Sequence, residues 1–244
     1  MSSSPDNLLQ VKIWRGCADG AYEDYVVPQQ DNQTVLDVVT YIQRNLDAAL
    51  AYRFACRVGV CGSCAMTVNG RPRWTCRTHV SRVAKNGMLE IAPLQNLPVI
   101  RDLVTDMTPF FEKWQEARGR FVPGEGPKDT LARVPPEQKE RAAASAAIEC
   151  INCGVCYSAC DVVAWRDDYL GPAALNRAWA AYNDVRDGDR VGVLKAVSTG
   201  TGCNNCHTHQ SCAEHCPVAL NPTFSIAGLK RATLKASVKG ELSK

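Results

Sequence analysis

The sequence lacks three features that would indicate particular classes of protein. Its net charge is only +3 over 244 residues, so bulk electrostatics do not favour nucleic-acid binding. It has no apolar run that approaches the length of a membrane-spanning helix, about 18 residues. The first ten residues, MSSSPDNLLQ, lack the basic and apolar segments of a secretory signal. We therefore expect a soluble or peripheral protein, which another polypeptide would anchor if it works at a membrane.

Cysteine, by contrast, is abundant, with 13 residues of which twelve fall into three groups. The groups are Cys56-x4-Cys61-x2-Cys64-x11-Cys76, Cys150-x2-Cys153-x2-Cys156-x3-Cys160, and Cys206-x5-Cys212-x3-Cys216 with Cys203 just upstream. Thiolates at these intervals can surround an iron–sulfur cluster, because a short loop lets several sulfur atoms point at one centre. Three such groups in one chain indicate an electron relay.

Disulfides and structural zinc are the alternative interpretations of so many cysteines. Disulfide scaffolds are typical of short secreted chains, and this chain is long and shows no export signal. Zinc sites commonly combine paired Cys-x2-Cys units in fours. The run Cys150-x2-Cys153-x2-Cys156-x3-Cys160 with a distant Cys216-Pro217 fits the iron–sulfur pattern better.

Hydrophobic periodicity and turn signals predict an N-terminal α/β domain and a helical remainder. The predicted strands are 8–15, 21–27, 65–68, 71–75 and 88–91, with Thr34 as N-cap of a helix built on Val35, Val38, Val39, Ile42 and Leu46. The predicted later helices are 98–114 (interrupted near Pro109), 137–149, 172–186 and 222–237, with an irregular linker at 122–136. We place the two domains at 1–105 and 106–244.

The order of these elements resembles two ferredoxin families. The first domain is similar to the β-grasp fold of plant-type ferredoxins, and the second is similar to the all-α domain of bacterial two-cluster ferredoxins. The expected fold class is therefore α+β.

The first cysteine group follows the plant-type spacing C-x4-C-x2-C, although its fourth cysteine lies closer than in most soluble ferredoxins. The predicted [2Fe–2S] ligands are Cys56, Cys61, Cys64 and Cys76. Seven basic residues against one acid occupy residues 51–90. This positive charge is typical of a solvated basic surface or of a docking surface for a protein partner. It also favours a cluster potential above that of plant-type ferredoxins, about −400 mV, and both interpretations can hold together.

In two-cluster ferredoxins the fourth cysteine of each run ligates the other cluster. Applied to this chain, that pattern implies two further ligand sets. The [4Fe–4S] set is Cys150, Cys153, Cys156 and Cys216. The [3Fe–4S] set is Cys160, Cys206 and Cys212, because one corner of that cluster has no thiolate.

His209 stands where the regular spacing would place a fourth cysteine, three residues after Cys206. We expect it to fill the vacant corner beside a three-iron cluster. The alternative is that its imidazole binds a fourth iron, as histidine replaces cysteine in Rieske centres. Cys203 could also supply a thiolate, but its position is out of register, which favours a spare buried cysteine. Cys17 lies alone in a predicted turn.

The whole constellation resembles the iron–sulfur subunit of succinate dehydrogenase and fumarate reductase, respiratory complex II. The resemblance extends from about Val11 to the C-terminal helix. The stretches that carry it are YRFACRVGVCGSC, RDLVTDM, CINCGVCYSAC, LGPAAL and CAEHCPVALNP. It implies an electron-transfer subunit of a succinate:quinone oxidoreductase, which relays single electrons between the FAD of a flavoprotein subunit and a quinone held with a membrane anchor subunit. It also implies a position at the cytoplasmic face of the inner membrane.

The resemblance also implies quinone-binding roles for Trp165 and His207, whose ring N–H groups are suitable donors to a quinone carbonyl. Both could instead be ordinary residues, an anchor for Trp165 and a donor to cluster sulfur for His207. The chain departs from its relatives near this site, with Asp161 in place of the usual proline, Ala164 in place of a tryptophan, and His209 in place of an apolar residue.

Three other functions remain open at this point. The chain could be a paralogous relay subunit for another flavin-dependent dicarboxylate dehydrogenase, since the organic substrate never touches it. It could be a free ferredoxin-like carrier that serves several partners. It could also be a zinc-stabilised interaction module.

Overall fold

A computed structural model describes residues 8–124 and 134–242. The chain forms two compact units. Among the described residues, one unit contains those up to Met107 together with Ile151–Ala159, and the other contains those from Thr108 to Cys150 and those from Cys160 onward. The domain boundary at 105 remains a prediction, and the units divide the chain close to it.

The described elements alternate between strand and helix in the first unit and are helical in the second. The strands are β1 (Leu8–Arg15), β2 (Ala21–Pro28), β3 (Ala65–Val68), β4 (Arg71–Trp74), β5 (Met88–Ala92), β6 (Val99–Arg101) and β7 (Val104–Thr105). The α-helices are α1 (Val35–Asn45), α2 (Val80–Val83), α3 (Thr108–Glu116), α4 (Lys139–Ile148), α5 (Val155–Ser158), α6 (Asp161–Trp165), α7 (Gly171–Asn183), α8 (Arg190–Val197), α9 (Ser211–Glu214) and α10 (Pro222–Val238). Thr75–Arg77 and Cys203–Asn205 are 3₁₀ turns.

The first unit is built on a five-stranded mixed sheet of order β2-β1-β5-β3-β4. β1 pairs antiparallel with β2 and parallel with β5, while β3 pairs antiparallel with both β4 and β5. Alternate residues of β1, such as Leu9, Val11 and Ile13, are buried in one core with the apolar face of α1. This sheet and the helical second unit confirm the predicted α+β fold class.

Helix α1 begins where the sequence predicts. Thr34 Oγ1 accepts the backbone N–H of Asp37 at 3.2 Å, and the Asp37 carboxylate accepts the Thr34 N–H at 3.0 Å, which completes a capping box. The predicted apolar positions up to Ile42 are buried, but the helix ends at Asn45 and Leu46 is exposed.

The predicted helix 98–114 is wrong in its first half. Val99–Arg101 and Val104–Thr105 form a hairpin, and the helix begins only at Thr108. The cause is the turn at Asp102, which has a φ of +51°. Its side chain, 1% exposed, accepts the N–H groups of Gly16 and Ala51, each at 2.8 Å. These distant partners fix the turn.

The second unit packs helices α3, α4, α8 and α10 around α7. Helix α7 begins with Gly171-Pro172, close to the predicted start. Its buried Asn176 connects two neighbouring helices, because the amide donates to Ala147 O at 3.1 Å and accepts from Ser225 Oγ at 2.8 Å. Helix α8 escaped prediction, and residues 125–133 of the predicted linker lie outside the described residues.

Within residues 8–124 and 134–242, no helix combines the length and apolar character needed to cross a membrane.

The Asp102 site suggests a stability test. Arg15 Nε lies 3.2 Å from the Asp102 carboxylate, so Asp102→Asn would remove one charged partner of a half-buried guanidinium that keeps Glu23 and Asp47. We expect a loss of about 2 kcal/mol in the free energy of unfolding, measured as a lower Tm of the full-length chain. Asp24→Asn, on the exposed β2, is the control and is expected to change Tm little. Equal Tm values for both variants would contradict this role.

The same contacts predict a pH dependence. Burial opposes ionisation of Asp102, but the Gly16 and Ala51 amides and Arg15 outweigh it and lower the pKa of the carboxyl. A carboxyl whose pKa is lower in the folded chain than in the unfolded chain stabilises the fold at pH values above its unfolded-state pKa. This stabilisation disappears as the pH falls through its folded-state pKa. The difference in Tm between wild type and Asp102→Asn should therefore shrink as pH is lowered below about 4.

Candidate metal centres

The first cysteine group forms one cluster of thiols in the first unit. Cys64 and Cys76 are buried beside each other, 3% and 6% exposed, while Cys56 and Cys61 lie nearer the surface. The thiol of Cys56 interacts with Cys61, and that of Cys76 interacts with Cys64 and Cys56. The structure therefore brings the four predicted [2Fe–2S] ligands together.

The loop between Cys56 and Cys64 turns through three residues with positive φ, namely Arg57 (+58°), Gly59 (+78°) and Gly62 (+73°). A Cβ added at Gly59 would lie 2.6 Å from the Trp74 ring. Only glycine fits there, because both the backbone conformation and the close ring exclude a side chain.

Backbone N–H groups surround the first of these sulfur atoms. Val60 N and Val58 N each donate to Cys56 Sγ at 3.4 Å. These two donors lower the pKa of Cys56 to about 6. The same N–H groups would stabilise the negative sulfur of a ligated cluster and tune its potential.

Burial has the opposite effect on Cys76. Burial is the largest cause and the neighbouring Cys64 thiol the second, and together they raise the pKa of Cys76 to about 12. The thiol therefore holds its proton at neutral pH in the metal-free chain. Ligation of iron would release that proton, so assembly of this centre favours higher pH.

The four predicted [4Fe–4S] ligands are all half-buried. Cys153 and Cys156 belong to the first unit, and Cys150 and Cys216 to the second. The backbone N–H of Leu220 donates to Cys216 Sγ at 3.3 Å. An amide donor at sulfur is the contact expected of a thiolate ligand.

The loops of the first and second groups touch within the first unit. A Cβ at Gly62 would lie 2.6 Å from Ile151 O and 2.9 Å from Cys153 Cα. Gly62 lies between Cys61 and Cys64, so a ligand loop of one centre packs on the backbone of a predicted ligand of the next. The sequence shows the glycine but gives no signal of this contact.

The three predicted [3Fe–4S] ligands line a cleft of about 330 Å³, including its open mouth, in the second unit. Cys160, Cys206 and Cys212 all face it, together with the buried Tyr169. Burial raises the pKa of Cys160 and raises that of Cys212 to about 11. The structure thus brings the predicted [3Fe–4S] ligands to one place.

Two neighbours of this cleft escaped prediction. Lys230 on α10 donates to Cys206 O at 2.7 Å, which fixes the start of the cysteine loop. Thr223 Oγ1 lies 3.2 Å from Cys212 Sγ. Both residues come from the helix that follows the cysteines, so no local spacing identifies them.

The predicted quinone-binding residues lie at the mouth of the same cleft. His207 and His209 line it, and their ring centroids are 6.1 Å apart. Trp165, 73% exposed at the end of α6, meets His209 edge-to-face at 6.4 Å. Three aromatic rings with polar N–H groups therefore gather beside the three cysteines.

Two cysteines, Cys203 and Cys17, lie outside the predicted ligand sets. Cys203 is fully buried, and its Sγ is 4.0 Å from Thr233 Oγ1. Cys17 is exposed and its thiol donates to Ile100 O at 3.3 Å. All 13 cysteines lie in the described part of the chain, and none forms a disulfide.

The chemistry of these donor sets fits iron–sulfur clusters. Within residues 8–124 and 134–242, no group of three or more His, Cys, Asp or Glu side chains converges on a single metal ion. A cluster spreads its thiolates over two to four irons, so its ligands stand farther apart than those of one ion. Sets of cysteines that form no disulfide, some with amide donors at sulfur, match that requirement.

Comparison with known proteins agrees with both halves of the chain. Residues 10–112 match the family described as "2Fe-2S iron-sulfur cluster binding domain", and residues 149–221 match the family described as "4Fe-4S dicluster domain". The fold and the cysteine sets thus define a class, the multi-cluster electron-transfer proteins.

Similarity over the full length is more specific. The "Fumarate reductase iron-sulfur subunit" of Mycobacterium tuberculosis (strain CDC 1551 / Oshkosh) is 35% identical over 239 residues, 95% of this chain and 94% of the relative. The "Succinate dehydrogenase [ubiquinone] iron-sulfur subunit 1, mitochondrial" of Oryza sativa subsp. japonica is 34% identical over 216 residues, 88% of this chain and 76% of the relative.

A solved structure gives the same result. A chain of the "Mycobacterium smegmatis Sdh1 complex in the apo form" matches with a TM-score of 0.81 and 30% identity, and the match covers 95% of this chain and 97% of that one. This chain belongs to the family of iron–sulfur subunits of succinate dehydrogenases and fumarate reductases. The resemblance stated from the sequence is confirmed.

The contact between the first two cysteine loops can be tested with two glycines of equal backbone conformation. Gly62 has a φ of +73° and Gly70 a φ of +74°, but a Cβ on Gly70 would meet nothing within 4 Å. Gly70→Ala should therefore cost only the left-handed strain, about 1 kcal/mol.

Gly62→Ala should lower the free energy of unfolding by more than Gly70→Ala does, because the added methyl group pushes away the loop at Ile151 and Cys153. We expect a lower Tm than for Gly70→Ala and altered EPR spectra of the reduced clusters. Matching Tm values and unaltered spectra in the two variants would show that the contact is unimportant.

Proposed function

We propose that this chain relays single electrons between the FAD of a flavoprotein subunit and a quinone beside a membrane anchor subunit, as part of a succinate:quinone oxidoreductase. The observation that carries the proposal is the packing of Gly62 on Cys153, which brings two cysteine loops into contact. The chain then acts by holding redox centres close in series, and the organic substrate reacts on another subunit.

The proposed ligand sets follow the cysteine groups. The [2Fe–2S] cluster takes Cys56, Cys61, Cys64 and Cys76. The [4Fe–4S] cluster takes Cys150, Cys153, Cys156 and Cys216. The [3Fe–4S] cluster takes Cys160, Cys206 and Cys212. When bound, the clusters supply the electron-accepting iron, while the chain supplies thiolates, amide donors and a low-dielectric surrounding.

The surface around the first loop suits a protein partner. Phe54, Val58 and Val60 are large apolar side chains left exposed beside the ligands. The Arg57 guanidinium lies 4.7 Å from the Phe54 ring centroid, a cation–π contact that orders the loop surface. Exposed apolar side chains grouped in this way are typical of an interaction site, and we assign the flavoprotein to it.

We assign the quinone end of the relay to the mouth of the cleft that Cys160, Cys206 and Cys212 line. His207 lines this cleft, and Trp165 contacts His209 at its edge, so their ring N–H groups are our proposed donors to a quinone carbonyl. An indole left largely exposed suits the boundary of a membrane or an anchor subunit. We therefore place the chain as a peripheral subunit on the cytoplasmic face of the inner membrane.

Two other functions use the same clusters and make different predictions. A free carrier would be isolated alone, whereas a complex II subunit should co-purify with a larger flavoprotein. A relay for another dicarboxylate dehydrogenase would co-purify with a flavoprotein that does not oxidise succinate. Recovery of a complex that reduces quinone with succinate supports the proposal against both.

Removal of one predicted ligand should abolish one centre. In Cys160→Ala we expect about three irons fewer per chain and loss of the EPR signal of the oxidised three-iron centre. Cys17→Ala, outside the cysteine groups, is the control and should retain all iron. Zinc without acid-labile sulfide in the wild type would sink the cluster assignment altogether.

The quinone role of His207 predicts a selective defect. The variant His207→Ala loses one hydrogen bond to the quinone, worth about 1.4 kcal/mol, so it should reduce quinone about tenfold more slowly than wild type. Electron transfer from the flavin to an artificial acceptor should remain normal. His79→Ala, in the first unit, is the control. An equal decrease of both activities in His207→Ala would refute the quinone role.

A further inference from the structure

The second and third cysteine loops share one backbone pattern. After Cys150, the residues two and four positions later are left-handed, with φ of +56° at Asn152 and +75° at Gly154. They bracket Cys153, a proposed cluster ligand. The left-handed pair therefore marks the ligand position within this loop.

The loop after Cys206 repeats this pattern at the same offsets. Thr208 has a φ of +63° and Gln210 a φ of +66°, and these two residues bracket His209. In each loop the next cysteine, Cys156 or Cys212, follows six residues after the first. His209 thus occupies the backbone position that a cysteine ligand has in the other loop.

The conformation at Thr208 is costly, because a β-branched residue at positive φ is strained. Strain of this kind persists where surrounding contacts maintain it and is concentrated at functional sites. In the loop after Cys150 the second bracketing residue is glycine, but in the loop after Cys206 neither bracketing residue is glycine. The loop holds His209 in place despite the strain.

His209 has an exposed side chain and lines the same cleft as Cys160, Cys206 and Cys212. Its ring centroid lies 6.4 Å from that of Trp165 and 6.1 Å from that of His207. The other candidate for a fourth ligand, Cys203, is fully buried beside Thr233 and is not among the residues that line this cleft.

We propose that His209 is the fourth ligand position of the third centre, and that it lets the three-iron cluster bind one further divalent ion, Fe²⁺. The proposal rests on the ligand set Cys160, Cys206 and Cys212 given above. Imidazole is an established ligand for cluster iron and for divalent transition metals. Because cluster type helps to set the potential, uptake of the ion would alter the last station of the relay.

The electron count balances without a further reagent. The oxidised three-iron core holds three Fe³⁺, and the one-electron reduction that the relay itself performs leaves two Fe³⁺ and one Fe²⁺. Addition of Fe²⁺ gives two Fe³⁺ and two Fe²⁺, the ordinary oxidised state of a four-iron cluster. An Fe–N bond forms to the unprotonated ring nitrogen of His209, and any proton on that nitrogen passes to water.

The test uses the purified complex with its partner subunits, oxidised until the three-iron EPR signal is maximal. The sample is reduced anaerobically, given Fe²⁺ enriched in the Mössbauer-active isotope, freed of excess iron and reoxidised mildly. In wild type we expect loss of most of the three-iron signal and a Mössbauer spectrum of labelled iron in a four-iron cluster. His209→Ala should keep its signal and take up no label in the cluster.

Two variants complete the design. Cys203→Ser should behave as wild type, and His209→Cys should bind the fourth iron more firmly, so that its three-iron signal stays small after mild oxidation. Three outcomes would refute the role of His209 and leave the relay intact. Wild type could keep its three-iron EPR signal after addition of Fe²⁺, or His209→Ala could lose that signal to the same extent as wild type. The third outcome is that only Cys203→Ser blocks uptake of the labelled iron. If neither wild type nor His209→Ala shows a three-iron signal after full oxidation, the ligand set is wrong, and this proposal is rejected with it.

Discussion

Short loops can direct several sulfur atoms at one small volume only if the backbone turns through its left-handed region. Arg57, Gly59 and Gly62 do this in the first loop, while Thr208 and Gln210 do it in the third. Glycine adopts this conformation freely, but other residues pay roughly 1–2 kcal/mol each. Such strain is tolerable because metal binding to a formed site contributes folding free energy. The loops are therefore stable together with their clusters.

The loops depend in turn on contacts from distant parts of the chain. Lys230 holds the carbonyl of Cys206 from helix α10, and Gly62 packs on the backbone of Cys153. The second contact matters for function, because electron transfer slows steeply as the space between two centres grows. A relay needs neighbouring loops that lie close together, and a glycine at the contact lets the two backbones approach.

The local pattern predicted the sheet of the first unit and the main helices of the second, since periodicity and turn residues agree there. It failed at 98–105, where a run of β-branched and leucine residues is compatible with either helix or strand. Asp102 decides the outcome through Gly16 and Ala51, which lie 86 and 51 residues away in sequence. Propensity cannot include bonds to partners that only the folded chain provides.

By itself the sequence determined the number and spacing of the cysteines, the class of cofactor that they suit, and the resemblance to complex II iron–sulfur subunits. These properties are local, because ligand spacing reflects the length of loop needed to surround a cluster. Only the tertiary structure decided that Gly62 lies against Cys153 and that His209 shares a cleft with Cys160. Such neighbours come from segments far apart in the chain, and their meeting depends on how the helices and strands pack.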